Sequence, residues 1–365
     1  MRVDVVDPSA FTPPYDHGLC CALGHAGVSV ELVTSRFAYG EVPTPVGYVR
    51  RELFYRRVHA PVNSRRRRVL KALVHGPEML AYRREARRAD LVHFQWLEIP
   101  WLDRRLLPDR PLVLTAHDLL PREPHPGQLR AQRRALDAVD AIVVHSAYGR
   151  DQLVGGLSLD PAKVHVIPHG AFAHLAGLPA AGLPPELAAD GRPVVLFFGL
   201  LRPYKGLDVL LEAWRGIEEA ELWIVGRPRM ALEPLQAQAP PGVRFVPRFV
   251  SEVELAACFR RADIVVLPYA RTERFDQSGV LASALAFGKA IVLSDIGSFS
   301  EVAALGAARL VPAGDPGALR AVLSELLADS DARARLGQAA LSAAAGTYSW
   351  EVAAARTLEL YRRLV

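Results

Sequence analysis

The chain alternates short apolar runs with longer stretches whose apolar residues recur every three or four positions. Continuous apolar runs of four to six residues are the pattern of strands buried on both faces of a parallel sheet. The pattern predicts strands at Val3–Val6, Val28–Val33, Leu91–Phe94, Leu112–Thr115, Ala141–Val144 and Val164–Ile167. The second half repeats it at Val194–Phe198, Glu221–Val225, Val243–Val246, Ile264–Leu267, Ala290–Leu293 and Ala308–Val311. Helical periodicity fills the gaps, as in Leu19–Ala26, Gln128–Ala138 and Leu207–Trp214. Strand–helix alternation of this kind predicts an α/β fold class with two doubly wound, Rossmann-like parallel-sheet domains. The first is expected over residues 1–172 and the second over 193–346, with a linker rich in Ala, Gly, Leu and Pro over 173–192. The final segment, 347–365, has an apolar stripe at Trp350, Ala354, Leu358, Tyr361 and Val365, so it is expected as a lone terminal helix.

Composition narrows the class. Half of the 365 residues are hydrophobic and 23% are charged, which supports a large core and excludes a disordered chain. Three cysteines, two of them adjacent, exclude a disulfide framework and suit a reduced, cytoplasmic setting. The longest apolar run, residues 194–201, is too short to span a bilayer. Of the 44 basic residues only Lys71, Lys163, Lys205 and Lys289 are Lys, so a lone Arg carries little information here.

The net charge of +5 is uneven. Arg50 to Arg88 holds 13 basic residues against three acidic ones, with aromatic and aliphatic residues interleaved. One reading is an amphipathic surface for anionic lipid, which makes an anionic membrane surface a candidate partner and allows a peripheral location at the inner face of the membrane. The other is a solvated face in an Arg-rich protein. No nucleic-acid-binding motif accompanies the patch, so nucleic acid is not expected as a partner.

In open α/β sheets ligands bind beyond the carboxyl ends of the strands, so the residues following each strand are the candidates. After 194–198 comes Gly199-Leu200-Leu201-Arg202-Pro203-Tyr204-Lys205-Gly206 and then a helix. A glycine-bounded loop with two cations at a helix start suits a diphosphate; the alternative is a turn with surface cations. Asp276-Gln277-Ser278-Gly279-Val280 precedes another helix, where the amides of Ser278, Gly279 and Val280 suit an anion; the alternative is N-capping by Ser278. In the first half, His117-Asp118, His145 and His169 each follow a strand. Asp16 and His17 follow the long first loop and face a ligand or cap the helix. There is no Walker-type loop, no dinucleotide glycine fingerprint and no nucleophile elbow.

The stretches VVLFFGLLRPYKGLDVLLEAW, ELWIVG, RADIVVLPY, SGVLASALAFGKAIVLSDIG and YSW…LELYRRL, with TAHD, VVHS and VIPHG in the first half, resemble the retaining GT-B glycosyltransferases of the "group 1", family 4-like type. The resemblance covers nearly the whole chain. It implies two facing Rossmann-like domains, a nucleotide-sugar donor held mainly by the second, and a last helix crossing back to the first. It implies a retaining hexosyl transfer to an acceptor hydroxyl. The acceptor would be a sugar, a lipid-linked molecule or a small molecule, as in cell-envelope, glycolipid or polysaccharide synthesis. Arg202 and Lys205 would bind the donor diphosphate, and His117 would contact the transferred sugar. Arg248-Phe249-Val250 would lie against the base, and Glu301 matches a family acid beyond the donor loop. Asp276 and Gln277 are further candidate donor contacts. The donor is a co-substrate; no cofactor and no metal are implied. The family's paired glutamates correspond to Phe275 and Ser283, which leaves Ser283 at the ribose-binding position. That departure keeps two alternatives open: a non-catalytic homologue that binds nucleotide or serves as a partner subunit, and a sugar-nucleotide epimerase.

Overall fold

The computed structural model describes residues 1–62, 64–120, 127–187, 191–271 and 277–365. The chain divides into two compact units, the first comprising Met1–Gly170 and Trp350–Val365, the second Ala171 to Ser349 among the described residues. Each is built on a wholly parallel sheet, as the apolar runs predict.

The first sheet contains β1 (Arg2–Asp7), β2 (Ser29–Ser35), β3 (Val49–Phe54), β4 (Leu91–Phe94), β5 (Leu112–Thr115), β6 (Ala141–Val144) and β7 (Val164–Val166), in the order β3-β2-β1-β4-β5-β6-β7. The central strands β4, β5 and β6 are buried at every position, which explains their unbroken apolar sequence. The strand β3 is absent from the sequence-based reading. It is an edge strand, VRRELF, mostly half exposed, and its Arg51 pairs with Glu31 and Glu85. Charged edge strands resist further pairing but leave no apolar run to recognise. The terminal helix Trp350–Leu364 belongs to this unit and packs on the helix Pro13–His25. Its Tyr361 hydroxyl lies 2.6 Å from His93 Nδ1 on β4.

The second sheet contains β8 (Val194–Phe198), β9 (Glu221–Val225), β10 (Val243–Val246), β11 (Ile264–Leu267), β12 (Ala290–Ser294) and β13 (Arg309–Val311), in the order β10-β9-β8-β11-β12-β13. Residues 171–187, partly expected as linker, begin this unit. Phe172 N donates to Ala282 O, and the short helix Ala173–Ala176 packs on the helices Glu252–Arg261 and Gly279–Ala286. Both sheets reverse their winding direction beside their first strand, between β1 and β4 and between β8 and β11. Those switch points are where such sheets open a crevice for ligands.

Candidate active site

In the second unit the loops after β8 and β11 are sewn together at the switch point. Gly206 has φ +68°, and a Cβ there would lie 1.9 Å from Pro268 O. Ala270 N donates to Tyr204 O at 2.8 Å. Only glycine permits this backbone approach. Pro203–Lys205 forms a single tight turn, and Gly206 opens the helix Leu207–Trp214. The turn buries Lys205, only 7% exposed, and sets its Nζ 5.0 Å from the centre of the Tyr269 ring. The Tyr269 hydroxyl meets Ser278 Oγ at 3.3 Å.

Gly199 lies at the centre of this arrangement. A Cβ there would come within 2.9 Å of Lys205 Nζ and 3.0 Å of Val280 Cγ2. The ammonium and the first turn of the helix Gly279–Ala286 therefore lie within one side chain's reach of the same backbone atom. Arg202 adds a buried Nε with no hydrogen-bond partner among the described residues. A buried ammonium, an unanswered guanidinium N–H and a helix start form the chemistry of an anion site.

In the first unit the loop after β1 is organised by Asp7. Its carboxylate accepts from the amides of Ser9, Phe11 and Thr12 at 3.2, 2.6 and 3.2 Å. Burial pushes Asp7 up to about 6 and raises its neighbour Asp16 well above the carboxylate range, the negative charge of Asp7 adding to the effect on Asp16. Beyond β4 to β7 lies a ring cluster. His117 Nδ1 is 3.3 Å from His145 Nε2, and His117 Nε2 is 3.0 Å from Gln95 Oε1. Trp96 stacks on His117 with ring centres 5.0 Å apart, and Tyr15 meets it edge-on at 4.7 Å. Burial lowers His145 to about 4 and His169 to about 3, with His145 adding to the effect on His169, so both are neutral.

The sequences of known proteins identify the family. The profile described as "Glycosyltransferase Family 4" matches residues 17–171, and that described as "Glycosyl transferases group 1" matches 192–329. The D-inositol 3-phosphate glycosyltransferase of Xylanimonas cellulosilytica is 33% identical over 319 residues, covering 76% of this chain and 74% of that protein. The chain belongs to the group 1 glycosyltransferases. Its fold is shared with sucrose-phosphate synthase from Thermosynechococcus elongatus, at TM-score 0.76 and 19% identity over 100% of this chain and 99% of that one. It is shared equally with Anabaena Alr3699/HepE in complex with UDP-glucose, at TM-score 0.74 and 16% identity over the whole of both chains. The fold class is thus GT-B, two Rossmann-like parallel-sheet units.

Within this glycosyltransferase the sequence-derived candidates fall into distinct environments. Arg202, Lys205, Gly279 and Val280 lie in or beside the loop after β8 described above. Ser278 makes no capping hydrogen bond to its helix; its hydroxyl meets Tyr269 and its amide donates to Gln277 Oε1 at 3.1 Å. Ser283 is buried, and its Oγ donates to Gly279 O at 3.1 Å, one turn back along the helix. Arg248 is held by two carboxylates, Glu186 and Glu254, the nearest contacts being 2.8 and 2.7 Å. Beside it Phe249 is 48% exposed and Val250 is buried. Glu301 is half buried in the first turn of the short helix Phe299–Ala303. Asp276 lies outside the described residues, as does Phe275.

In the first unit His117, His145 and His169 come together, with successive ring centres 5.2 Å apart. Asp118 is half buried, and its carbonyl accepts from Gln132 at 3.3 Å. Asp16 is not an N-cap; it lies inside the helix, with Oδ1 3.5 Å from Thr12 Oγ1. His17 turns toward Tyr48, 3.0 Å from Nδ1 to the hydroxyl, and burial with nearby Arg50 lowers its pKa. Both line an open recess with Tyr48, Arg50 and Glu52. As site residues, sequence reasoning missed Tyr15, Gln95, Trp96 and Tyr269, and it placed Trp350 only on the apolar stripe of the terminal helix. A signal existed for three of these: Gln95-Trp96 directly follows β4 and Tyr269 closely follows β11, the strands at the two switch points. Among the described residues no cluster of three or more His, Cys, Asp or Glu is arranged to hold a metal ion.

Proposed function

We propose that this glycosyltransferase moves a sugar from a nucleoside-diphosphate donor to an acceptor hydroxyl with retention of anomeric configuration. The observation that carries the reading is the approach of Lys205 Nζ and the Gly279–Ala286 helix start to Gly199, in the same loop as the buried, unanswered Nε of Arg202. Breaking the bond between the anomeric carbon and the phosphate oxygen leaves a second negative charge on the terminal phosphate of the diphosphate. Fixed cations and amides aimed at that charge stabilise it more in the transition state than in the ground state. The acceptor oxygen bonds to the same face of the anomeric carbon as the phosphate leaves, and the phosphate takes the acceptor's proton. His117 faces the sugar, the exposed ring of Phe249 offers a surface to the base, and no metal takes part. Alr3699/HepE, of the same fold, is a precedent for UDP-glucose on this scaffold.

The helix Arg65–Glu85 supports an acceptor at an anionic membrane surface. Val69, Leu73 and Leu80 are 52, 68 and 44% exposed, lie on one helical face, and are flanked by exposed Arg65, Arg66, Arg83 and Arg84. No helix among the described residues is long and apolar enough to cross a membrane. Flotation with vesicles containing anionic lipid is the expected outcome, and no binding at low salt overturns it.

The decisive experiment is a thermal-shift panel with UDP, GDP and ADP and their hexose conjugates, beside the Arg202→Ala/Lys205→Ala double variant. Ligand at 100 times its Kd stabilises by about 2.7 kcal/mol. A shift with one base that the double variant loses supports the reading. No shift with any nucleotide overturns it in favour of a non-catalytic homologue. Donor conversion without acceptor points instead to an epimerase. Turnover that survives EDTA, with an unchanged anomeric configuration in the product's proton spectrum, completes the test.

A further inference from the structure

We infer that His145 is a positioning residue that fixes the proton of His117 on Nδ1, so that His117 offers its substrate a hydrogen-bond acceptor at Nε2. His145 Nδ1 lies 3.0 Å from Ile167 O, and a carbonyl oxygen only accepts, so the proton of His145 is on Nδ1. His145 is fully buried beside a second neutral ring, His169, and burial keeps it uncharged. Its Nε2 is then a bare lone pair. That lone pair lies 3.3 Å from His117 Nδ1, so the hydrogen between the two rings belongs to His117. The chain of donors runs one way, from His117 to His145 to the backbone.

The other end of His117 accommodates the assignment once the amide of Gln95 is turned. Gln95 Oε1 lies 3.0 Å from His117 Nε2, yet a neutral ring protonated on Nδ1 has no hydrogen to give there. Meanwhile Gln95 Nε2 is buried without a hydrogen-bond partner among the described residues. Half a turn of the amide, which changes no volume, sets its –NH2 against His117 Nε2 and supplies the idle donor with an acceptor. In the resting protein Gln95 thus occupies the place that a substrate hydroxyl takes over. The ring plane is held meanwhile by Trp96 stacked on it and by Tyr15 at its edge.

The kinetic part rests on the reading that His117 meets the sugar; the proton's position does not. Long-range proton–nitrogen correlation on the full chain labelled with 15N-histidine, with His117→Asn for assignment, reads the tautomer directly. The expected spectrum has His117 protonated at Nδ1 and bare at Nε2. His145→Leu removes the acceptor, and a mixture of tautomers and a fall in kcat of roughly tenfold to a hundredfold follow, as for other orienting partners of histidine. His145→Gln, which returns an acceptor oxygen, restores both. A proton on Nε2 in the unaltered chain, or a His145→Leu variant with tautomer and kcat unchanged, overturns the inference. Should His145→Leu fail to fold, the unaltered chain and His145→Gln still decide it. Absence of transfer by the unaltered chain defeats the proposed reaction instead, and leaves the spectroscopic test standing.

Discussion

Replacing Lys205 by Met separates binding from stability. Met keeps most of the unbranched apolar stem, one atom shorter, and removes the charged ammonium with its three donors. Lys205 is 7% exposed with its ammonium over the Tyr269 face. At about 4 Å and an effective dielectric near 20, two unit charges attract by about 4 kcal/mol. A hydrogen bond to a charged group retains about 1.5–3 kcal/mol of this after desolvation. The loss in nucleoside-diphosphate affinity is therefore expected at roughly ten- to 150-fold. The loss in kcat is expected at about 10²–10³, because charge develops on the leaving group. The ligand-free fold responds differently. A buried cation costs stability that Met does not, and the lost contact with Tyr269 offsets this by only about 0.5–2 kcal/mol. Denaturant unfolding of the empty variant is expected within about 1 kcal/mol of the parent. Isothermal titration with the nucleotide selected by thermal shift and urea unfolding are the two assays. Undiminished nucleotide affinity refutes the phosphate role, and a loss of several kcal/mol in the empty protein makes Lys205 a structural residue.

Trp350 is seated between two glycines, where a Cβ would lie 2.3 Å from its ring at Gly18 and 2.2 Å at Gly170. Gly170→Ala is expected to cost about 1–3 kcal/mol by overpacking, and most of that penalty vanishes in a Trp350→Ala background, as a double-mutant cycle by urea unfolding reads. Arg248→Ala breaks ion pairs at the surface and is expected to cost about 1 kcal/mol or less, with nucleotide affinity changed by less than about threefold in titration calorimetry. Asp7 and Asp16 hold a proton in the folded chain that the unfolded chain gives up near the ordinary carboxylate pKa. Their folded-state pKa values are raised, so stability falls as pH rises above about 4, through about 6 for Asp7 and on through the raised range of Asp16. Asp16→Asn is expected to flatten that slope in urea unfolding measured across the window.

The fold was legible because a doubly wound sheet writes its buried strands as unbroken apolar runs. Where a strand is an exposed edge, as β3 is, the same physics removes the signal: Arg50, Arg51 and Glu52 leave it without an apolar run. The loop after β8 was legible for a different reason. Two glycines and a rare lysine are local in sequence, so the turn that buries Lys205 could be anticipated from eight residues. The position of Tyr269 after β11 makes it a candidate, but its contact with Lys205 is made across the switch point by a residue 64 positions away and has no local signal.

The first unit shows where reading by analogy of position fails. Gly18 follows Asp16 and His17 in a loop-to-helix segment that reads as ligand-facing, yet its missing side chain makes room for Trp350, from the far end of the sequence. The absence of Cβ serves packing there and backbone approach at Gly206, and sequence alone does not distinguish the two. Ser283 makes the converse point. It stands where the family places a ribose-binding glutamate, and its hydroxyl proton goes to Gly279 O of its own helix. A buried serine committed in this way cannot replace a carboxylate that accepts two ribose hydroxyls. Under the proposed reaction, donor recognition falls instead to Lys205, Arg202 and the groups that meet the sugar, His117 among them.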